Sequence, residues 1–188
     1  MNLRTLPHIK TERLLLKLLE SPRTDLMIDF RLANRSFLKP WEPRRPAEFF
    51  TPAFWDYQLR YLIQDYRDGN SLCLVIMDAA DTEVMGVCNF TNIIRGTFLA
   101  CQLGYALAEK HQGKGVMFEA LTHAIEFVFS QLDLHRIMAA YVPRNARSGT
   151  LLKRLNFVIE GTASKYLSID GRWEDHVLTA LVNPDESR

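Results

Sequence analysis

The chain has 188 residues, 47% hydrophobic and 24% charged, a balance that excludes a disordered or fibrous chain and fits one globular domain over residues 1–188. Lysine and arginine number 23 against 22 for aspartate and glutamate, so no net field exists to hold a nucleic-acid backbone or an anionic membrane, and any basic site must be local. Cys73, Cys88 and Cys101 stand singly in apolar segments with no metal-ligand spacing, and read as buried thiols of a reducing compartment.

Within the first twenty residues Arg4, Lys10, Glu12, Arg13, Lys17 and Glu20 interrupt any apolar run long enough for a signal peptide or a membrane span, so a cytoplasmic protein is expected. A leucine-rich strand runs from Glu12 to Leu19, the stretch from Ser21 to Asp25 turns the chain, and a helix is predicted over Asp25 to Asn34. Pro40, Pro43, Pro46 and Pro52 then crowd a span with Trp41, Phe49, Phe50, Phe54 and Trp55; proline prevents a long regular element, and a folded surface loop is expected. The spacing of Phe54, Leu59, Leu62, Ile63 and Tyr66 predicts a helix to Asp68, ended by Gly69 and Asn70.

Three apolar or alternating runs follow, Ser71 to Met77, Val84 to Ile94 and Phe98 to Ala108, separated by short polar connections that suit antiparallel hairpins. A helix from Gly115 to Ser130 places Met117, Leu121, Ala124, Ile125 and Val128 on one face, which must lie on the sheet. Leu134 to Tyr141 is a further strand, Asn145 to Leu155 a short helix, and closing strands run over Phe157 to Leu167 and Trp173 to Val182. Seven strands in this order imply a mixed α/β sheet with helices on both faces.

The stretch from Glu109 to Glu119 joins a strand to the start of an amphipathic helix. Amides of a first helical turn lack intrahelical partners, the helix dipole makes that end positive, and glycine lets a ligand approach the backbone, so Gly113-Lys114-Gly115 suits a phosphate, although so short a run taken alone is more often an ordinary turn before a helix. Two nucleotide motifs fit poorly. Walker A needs a hydroxyl after the lysine, but Gly115 follows Lys114; a Rossmann loop needs a third glycine where Phe118 stands, after the first strand of a parallel unit.

Gln112-Gly113-Lys114-Gly115-Val116-Met117 resembles the pyrophosphate loop of the GCN5-related N-acetyltransferase (GNAT) superfamily, although Met117 departs from the small residue of the family pattern. Within that superfamily the chain is similar to RimJ-type ribosomal-protein alanine acetyltransferases. The likeness runs through Phe37-Leu38-Lys39-Pro40-Trp41-Glu42-Pro43, Gln112 to Thr122, Asn145-x-x-Ser148-Gly149 and Asp170-Gly171-x-Trp173-x-Asp175-His176-Val177. The resemblance implies a central, mostly antiparallel seven-stranded sheet with a splayed parallel pair and helices on both faces. It also implies acetyl-CoA as co-substrate, without a metal: pyrophosphate on Gln112 and the amides of Gly113, Lys114, Gly115, Val116, Met117 and Phe118, pantetheine along Tyr105, Ala106 and Leu107, and Asn145 nearby. An amide near Leu107 would then meet the thioester oxygen, where donors strengthen as charge develops.

Direct transfer in a ternary complex needs no protein nucleophile, and none is evident. Ser148 is the expected general acid, with helix capping by Asn145 and Ser148 as the alternative role. The glutamate and tyrosine of RimI-type relatives are replaced by Ala140 and Leu152. A terminal amine, with a pKa of about 7.7 to 8.0, is already partly neutral near pH 7 and needs only water, relayed to Glu109, Asp175 or His176. The acceptor pocket is expected at Trp41, Asn89 and Tyr141, each of which could instead serve packing. The acceptor implied by the resemblance is the N-terminal alanine of a small-subunit ribosomal protein, with no direct nucleic-acid readout and no membrane. A small-molecule amine acceptor and a non-catalytic CoA-binding module are the rival readings.

Overall fold

The computed structural model describes residues 5–185; the outermost residues of the expected 1–188 span, Arg4 among them, lie outside it. One mixed sheet of eight strands organises these residues, in the order β1-β2-β3-β4-β5-β6-β8-β7. The strands are β1 (His8–Lys10), β2 (Leu14–Lys17), β3 (Leu72–Asp78), β4 (Val84–Ile94), β5 (Ala100–Leu107), β6 (Arg136–Tyr141), β7 (Val158–Ile169) and β8 (Arg172–Val182). Seven match the expected strands. The eighth is β1, whose three residues, largely exposed around a half-buried Ile9, are too few to produce an alternating signal and gain strand geometry only by pairing Ile9 with Leu16.

Successive residues of a strand point to opposite faces, and here both faces are covered, which is why β2 and β3 read as nearly unbroken apolar runs. Leu14, Leu16, Leu72, Leu74 and Ile76 join Cys88, Phe90, Cys101 and Leu103 in one core under α4 (Val116–Gln131). Leu15, Val75, Met77 and Val87 form a second core with Met27 and Phe30 of α1 (Thr24–Ala33) and Trp55 and Leu59 of α3 (Pro52–Arg67). The remaining helices are α2 (Arg35–Leu38) and α5 (Ala146–Arg154).

The proline-rich span is packed rather than merely a surface loop. It folds as α2 and two short 3₁₀ turns, Lys39–Trp41 and Ala47–Phe50. Trp55 is buried and donates its indole NH to the Phe49 carbonyl at 2.7 Å, inside a cluster of Phe49, Phe50, Phe54 and Trp55. Helix α3 begins two residues before the predicted Phe54, because the Thr51 hydroxyl accepts the Phe54 amide and Pro52 occupies the first helical position, where a missing NH costs nothing.

Among the described residues the only parallel contact in the sheet is the pair that the site needs. β5 and β6 pair in register from Ala100 and Arg136 to Leu103 and Ala139, and there the pairing stops. Beyond it β6 continues alongside β8, with Ala140 and Tyr141 opposite Leu178 and Val177, while Gly104 to Leu107 of β5 stay with β4. A gap therefore opens between Leu107 and Tyr141.

Candidate active site

Alternation along β5 decides which of its backbone groups face this gap. The Ala108 amide donates to the Met85 carbonyl at 2.8 Å, on the β4 side. The next groups pointing that way are those of Ala106 and Gly104, so the amides and carbonyls of Tyr105 and Leu107 point toward β6, past the end of its pairing. Gln112 returns to this edge, its side-chain amide donating to the Leu107 carbonyl at 3.1 Å, and so fixes the loop against the strand.

Between Gln112 and α4 the chain turns through Gly113 and Gly115, at φ +73° and +75°. L-side chains avoid this left-handed region, and a Cβ at Gly113 would meet nothing within 4 Å, so the glycine there serves conformation and leaves the approach open. Gly115 is the residue before the first turn of α4 and gives it no side-chain cap. Glu119 anchors that turn from behind: it accepts from the Thr11 hydroxyl at 2.6 Å and the Arg13 amide at 2.9 Å, and pairs with the Arg13 guanidinium at 2.7 Å. Arg13 also donates to the Lys114 carbonyl at 3.2 Å. Burial opposes ionisation of Glu119, but these donors outweigh it and hold its carboxyl below the ordinary range.

A cleft of about 530 Å³ occupies the gap. Tyr105, Ala106, Leu107, Gln112, Met117, Asn145 and Ser148 line it together with Trp41 and Glu42. Gly113, Lys114, Gly115 and Val116, which join the lining residues Gln112 and Met117, do not themselves line it. Met117, the departure from the family pattern, is largely buried in the core while still lining the cleft. The Phe118 ring turns to a separate cavity, where the Arg154 guanidinium covers it at 4.3 Å; only its backbone belongs to the first turn. This geometry suits an extended anionic ligand with its phosphates at the loop and its arm along the exposed edge of β5.

Ser148 and Asn145 divide the two roles open to them. The Asn145 carboxamide accepts the Ser148 amide at 3.2 Å and so caps α5, which frees the serine hydroxyl from that duty. The Ser148 Oγ lies 2.7 Å from the Tyr105 phenol instead. Burial pushes the Tyr105 pKa up to about 12, partly offset by Ser148, so the phenol stays protonated and can donate to the Ser148 Oγ, an arrangement that leaves the serine proton available to the cleft. Gly149 makes the approach possible: a Cβ there would come within 2.9 Å of the Tyr141 ring. Tyr105 enters the sequence reading for its backbone alone, and nothing in the sequence pairs its phenol with a serine on another element.

The three relay candidates are not brought to this cleft. Glu109 turns to a cavity shared with Lys110 and Glu83, its amide held by the Asn34 carboxamide at 2.9 Å. Asp175 is exposed and accepts the Lys165 amide at 2.8 Å, where β7 bulges away from β8. His176 is buried on β8, its Nδ1 2.9 Å from the Glu174 carbonyl and its ring against Tyr166. The side chains of Asp175 and His176 serve local backbone geometry. Asn89 likewise lies across the sheet, lining a cavity of about 330 Å³ against α1 and α3, and Tyr141 packs on Gly149 rather than lining the cleft. Trp41 does line it, under the Arg144 guanidinium at 4.9 Å; Arg144 also donates to the Pro40 carbonyl at 3.2 Å, which fastens the β6–α5 connection to the proline-rich span, and pairs with Glu174 of β8 at 3.0 Å.

A second cavity of about 540 Å³ adjoins the cleft, sharing Leu38 and Glu42 with it and reaching Asp170 in the turn between β7 and β8. Arg31 forms its inner wall, 7% exposed, pairing with Glu42 at 2.9 Å and packed near the rings of Phe30, Phe49 and Trp55. Burial lowers the Arg31 pKa from its usual value, and the Glu42 carboxylate works against that shift. The Asp170 amide donates to the Glu42 carbonyl at 2.9 Å and ties the turn to this wall.

Parallel strands that part beside a glycine-bounded helix start, with a hydroxyl pair at the opening, define a transferase that works on CoA thioesters. The chain belongs to the acetyltransferase (GNAT) domain family, whose model matches residues 13–158. It is 46% identical over 177 residues, 94% of this chain and 91% of the relative, to the ribosomal protein uS5-alanine N-acetyltransferase of Escherichia coli (strain K12). A ribosomal-protein-S5-alanine acetyltransferase structure from Vibrio fischeri superimposes with a TM-score of 0.91 at 38% identity, over 95% of this chain and 98% of that one. Mycobacterium smegmatis RimJ, solved with CoA-disulfide, gives a TM-score of 0.86 at 26% identity, over 97% and 89%.

Proposed function

We propose that this chain, acting as one cytoplasmic catalytic domain, moves the acetyl group of acetyl-CoA to the N-terminal alanine amine of a small-subunit ribosomal protein. The observation that carries the chemistry is the Ser148–Tyr105 pair, at 2.7 Å, lining the cleft where β5 and β6 separate. The acceptor follows from the likeness to uS5-alanine acetyltransferases. Among the described residues no helix is long and apolar enough to cross a membrane, and no group of histidine, cysteine and acidic side chains could hold a metal ion.

Acetyl-CoA, when bound, supplies an electrophilic thioester carbonyl. The Leu107 amide faces the gap and donates to that carbonyl oxygen as charge develops there. The amine nitrogen bonds to the acetyl carbon as the carbon–sulfur bond breaks and the ammonium proton leaves to water; the sulfur takes the Ser148 proton, Tyr105 replaces it, and water returns a proton to the Tyr105 oxygen, so both hydroxyls are restored. Glu42 is the acid beside the cleft, but its ion pair with Arg31 suits it to position the acceptor rather than to take protons. A polyamine acceptor fits poorly, because the acceptor side is walled by arginines. The test follows thiol release with acetyl-CoA and peptides beginning in Ala, Ser or Met. Fastest release with alanine supports the reading, and release only with lysine side chains overturns it.

A further inference from the structure

The chain as a whole is nearly neutral, at +1, but the cavity next to the cleft is not. Arg31, Arg35, Lys39, Arg44 and Arg45 line it, five cations against the two acids Glu42 and Asp170. Those acids answer only part of the charge. Glu42 serves Arg31 and, at 3.6 Å, Arg45, while Asp170 reaches Lys39 at 3.8 Å. Arg35 and Arg45 lie over the rings of Phe50 and Phe49, at 4.3 and 4.6 Å, which holds both guanidinium planes in place without neutralising them. The buried Arg31 Nε has no hydrogen-bond partner, so the innermost cation of the wall is also short of an acceptor.

We propose that this cavity binds the carboxylate side chain of an aspartate or glutamate in the acceptor, a few residues after the reacting alanine; the inference rests on the terminal-amine reading above. Leu38 and Glu42 line both the cleft and the cavity, so the cavity adjoins the cleft, and a chain whose first residue reaches Ser148 has the cation wall beside its next residues. Extended backbone advances about 3.3 to 3.6 Å per residue, which brings the side chains of about the second to fourth residues over the cation wall. Planar guanidinium groups match a carboxylate in two-point hydrogen bonding. A phosphate backbone suits the cavity less well, because Glu42 and Asp170 stand inside it and the space is walled by α2, the 3₁₀ turns and the β7–β8 turn rather than spread as an open basic face.

The experiment measures kcat/KM with acetyl-CoA for peptides beginning in alanine that carry Glu, Gln or Lys at positions two to four. Wild-type enzyme should favour at least one Glu peptide over its Gln counterpart by about tenfold, mainly through KM, as expected for one charge-assisted bond. Arg35→Glu and Arg44→Glu, exposed positions whose exchange leaves the core intact, should erase that preference and improve the Lys peptide. Retention of wild-type folding by circular dichroism qualifies these variants, and Arg31→Lys provides a milder buried change. Equal rates for Glu and Gln peptides overturn the inference while the terminal-alanine reading stands; absence of acetylation on every alanine peptide overturns both. Inhibition by an RNA oligonucleotide that the charge reversals abolish, without any Glu preference, would assign the cavity to nucleic acid and also overturn it.

Discussion

Ser148 and Tyr105 set the chemistry through one short contact, and each makes a separable prediction. Ser148→Ala removes the proton donor but leaves the Asn145 cap, so kcat should fall on the order of a hundredfold with little change in acetyl-CoA affinity, measured by calorimetry. Tyr105→Phe keeps the packing and removes only the phenol; a drop of roughly tenfold and a changed alkaline limb of the pH–rate profile are expected. An unchanged profile would confine Tyr105 to a structural role. At Gly115 the requirement is conformational. With φ at +75°, Gly115→Val must either adopt a backbone costing about 1–3 kcal/mol or reshape the loop, and the Michaelis constant for acetyl-CoA should rise sharply. No change in that constant would separate the loop from cofactor binding.

At the scale of elements, the start of α4 depends on a clamp from the other end of the sheet. Thr11 and Arg13, beside β2, grip Glu119 in the first turn and Arg13 also holds the loop carbonyl of Lys114. Glu119→Ala leaves these donors to water, and a loss of about 1–3 kcal/mol in urea unfolding is expected, along with weaker acetyl-CoA binding from a looser loop. Glu119→Gln should recover part of the stability, since its carbonyl still accepts from Thr11. The proline-rich span shows a different dependence: its prolines suggested a surface loop, yet Phe49 is buried against Trp55 of α3, inside the core that α1 and α3 form on the sheet. Proline content excluded long helices there and said nothing about burial.

Across the whole molecule, the thiols and carboxylates behave as collective features of the fold. Burial pushes the Cys73 and Cys101 thiols up to about 12 and Cys88 further, so none is a thiolate at neutral pH, and acetyl-CoA without an amine should give no burst of free CoA. A burst, or ping-pong kinetics, would contradict direct transfer. Asp78, Asp81, Glu83 and Glu119 all have pKa values below their ordinary ones: burial opposes ionisation in each, and hydrogen bonds or cations overcome it. A depressed folded pKa gives stability that is fully present above the ordinary values of 3.8 and 4.5 and is lost as pH falls through the lower folded ones. Acid unfolding should therefore set in below about pH 4, and a midpoint well above that would contradict the assignment. The sequence by itself determined seven of the strands, four of the five described helices to within two residues, though not the single-turn α2, and the glycine loop before α4, because side-chain period, caps and left-handed turns are properties of neighbouring residues. Only the tertiary structure decided that Tyr105 meets Ser148 across 43 positions, that Arg31 forms the inner wall of an acceptor-side cavity, and that Glu109, Asp175 and His176 face elsewhere. Such meetings depend on where β5 and β6 stop pairing and how α2 and the β7–β8 turn pack beside them, and that register is fixed by the sheet as a whole.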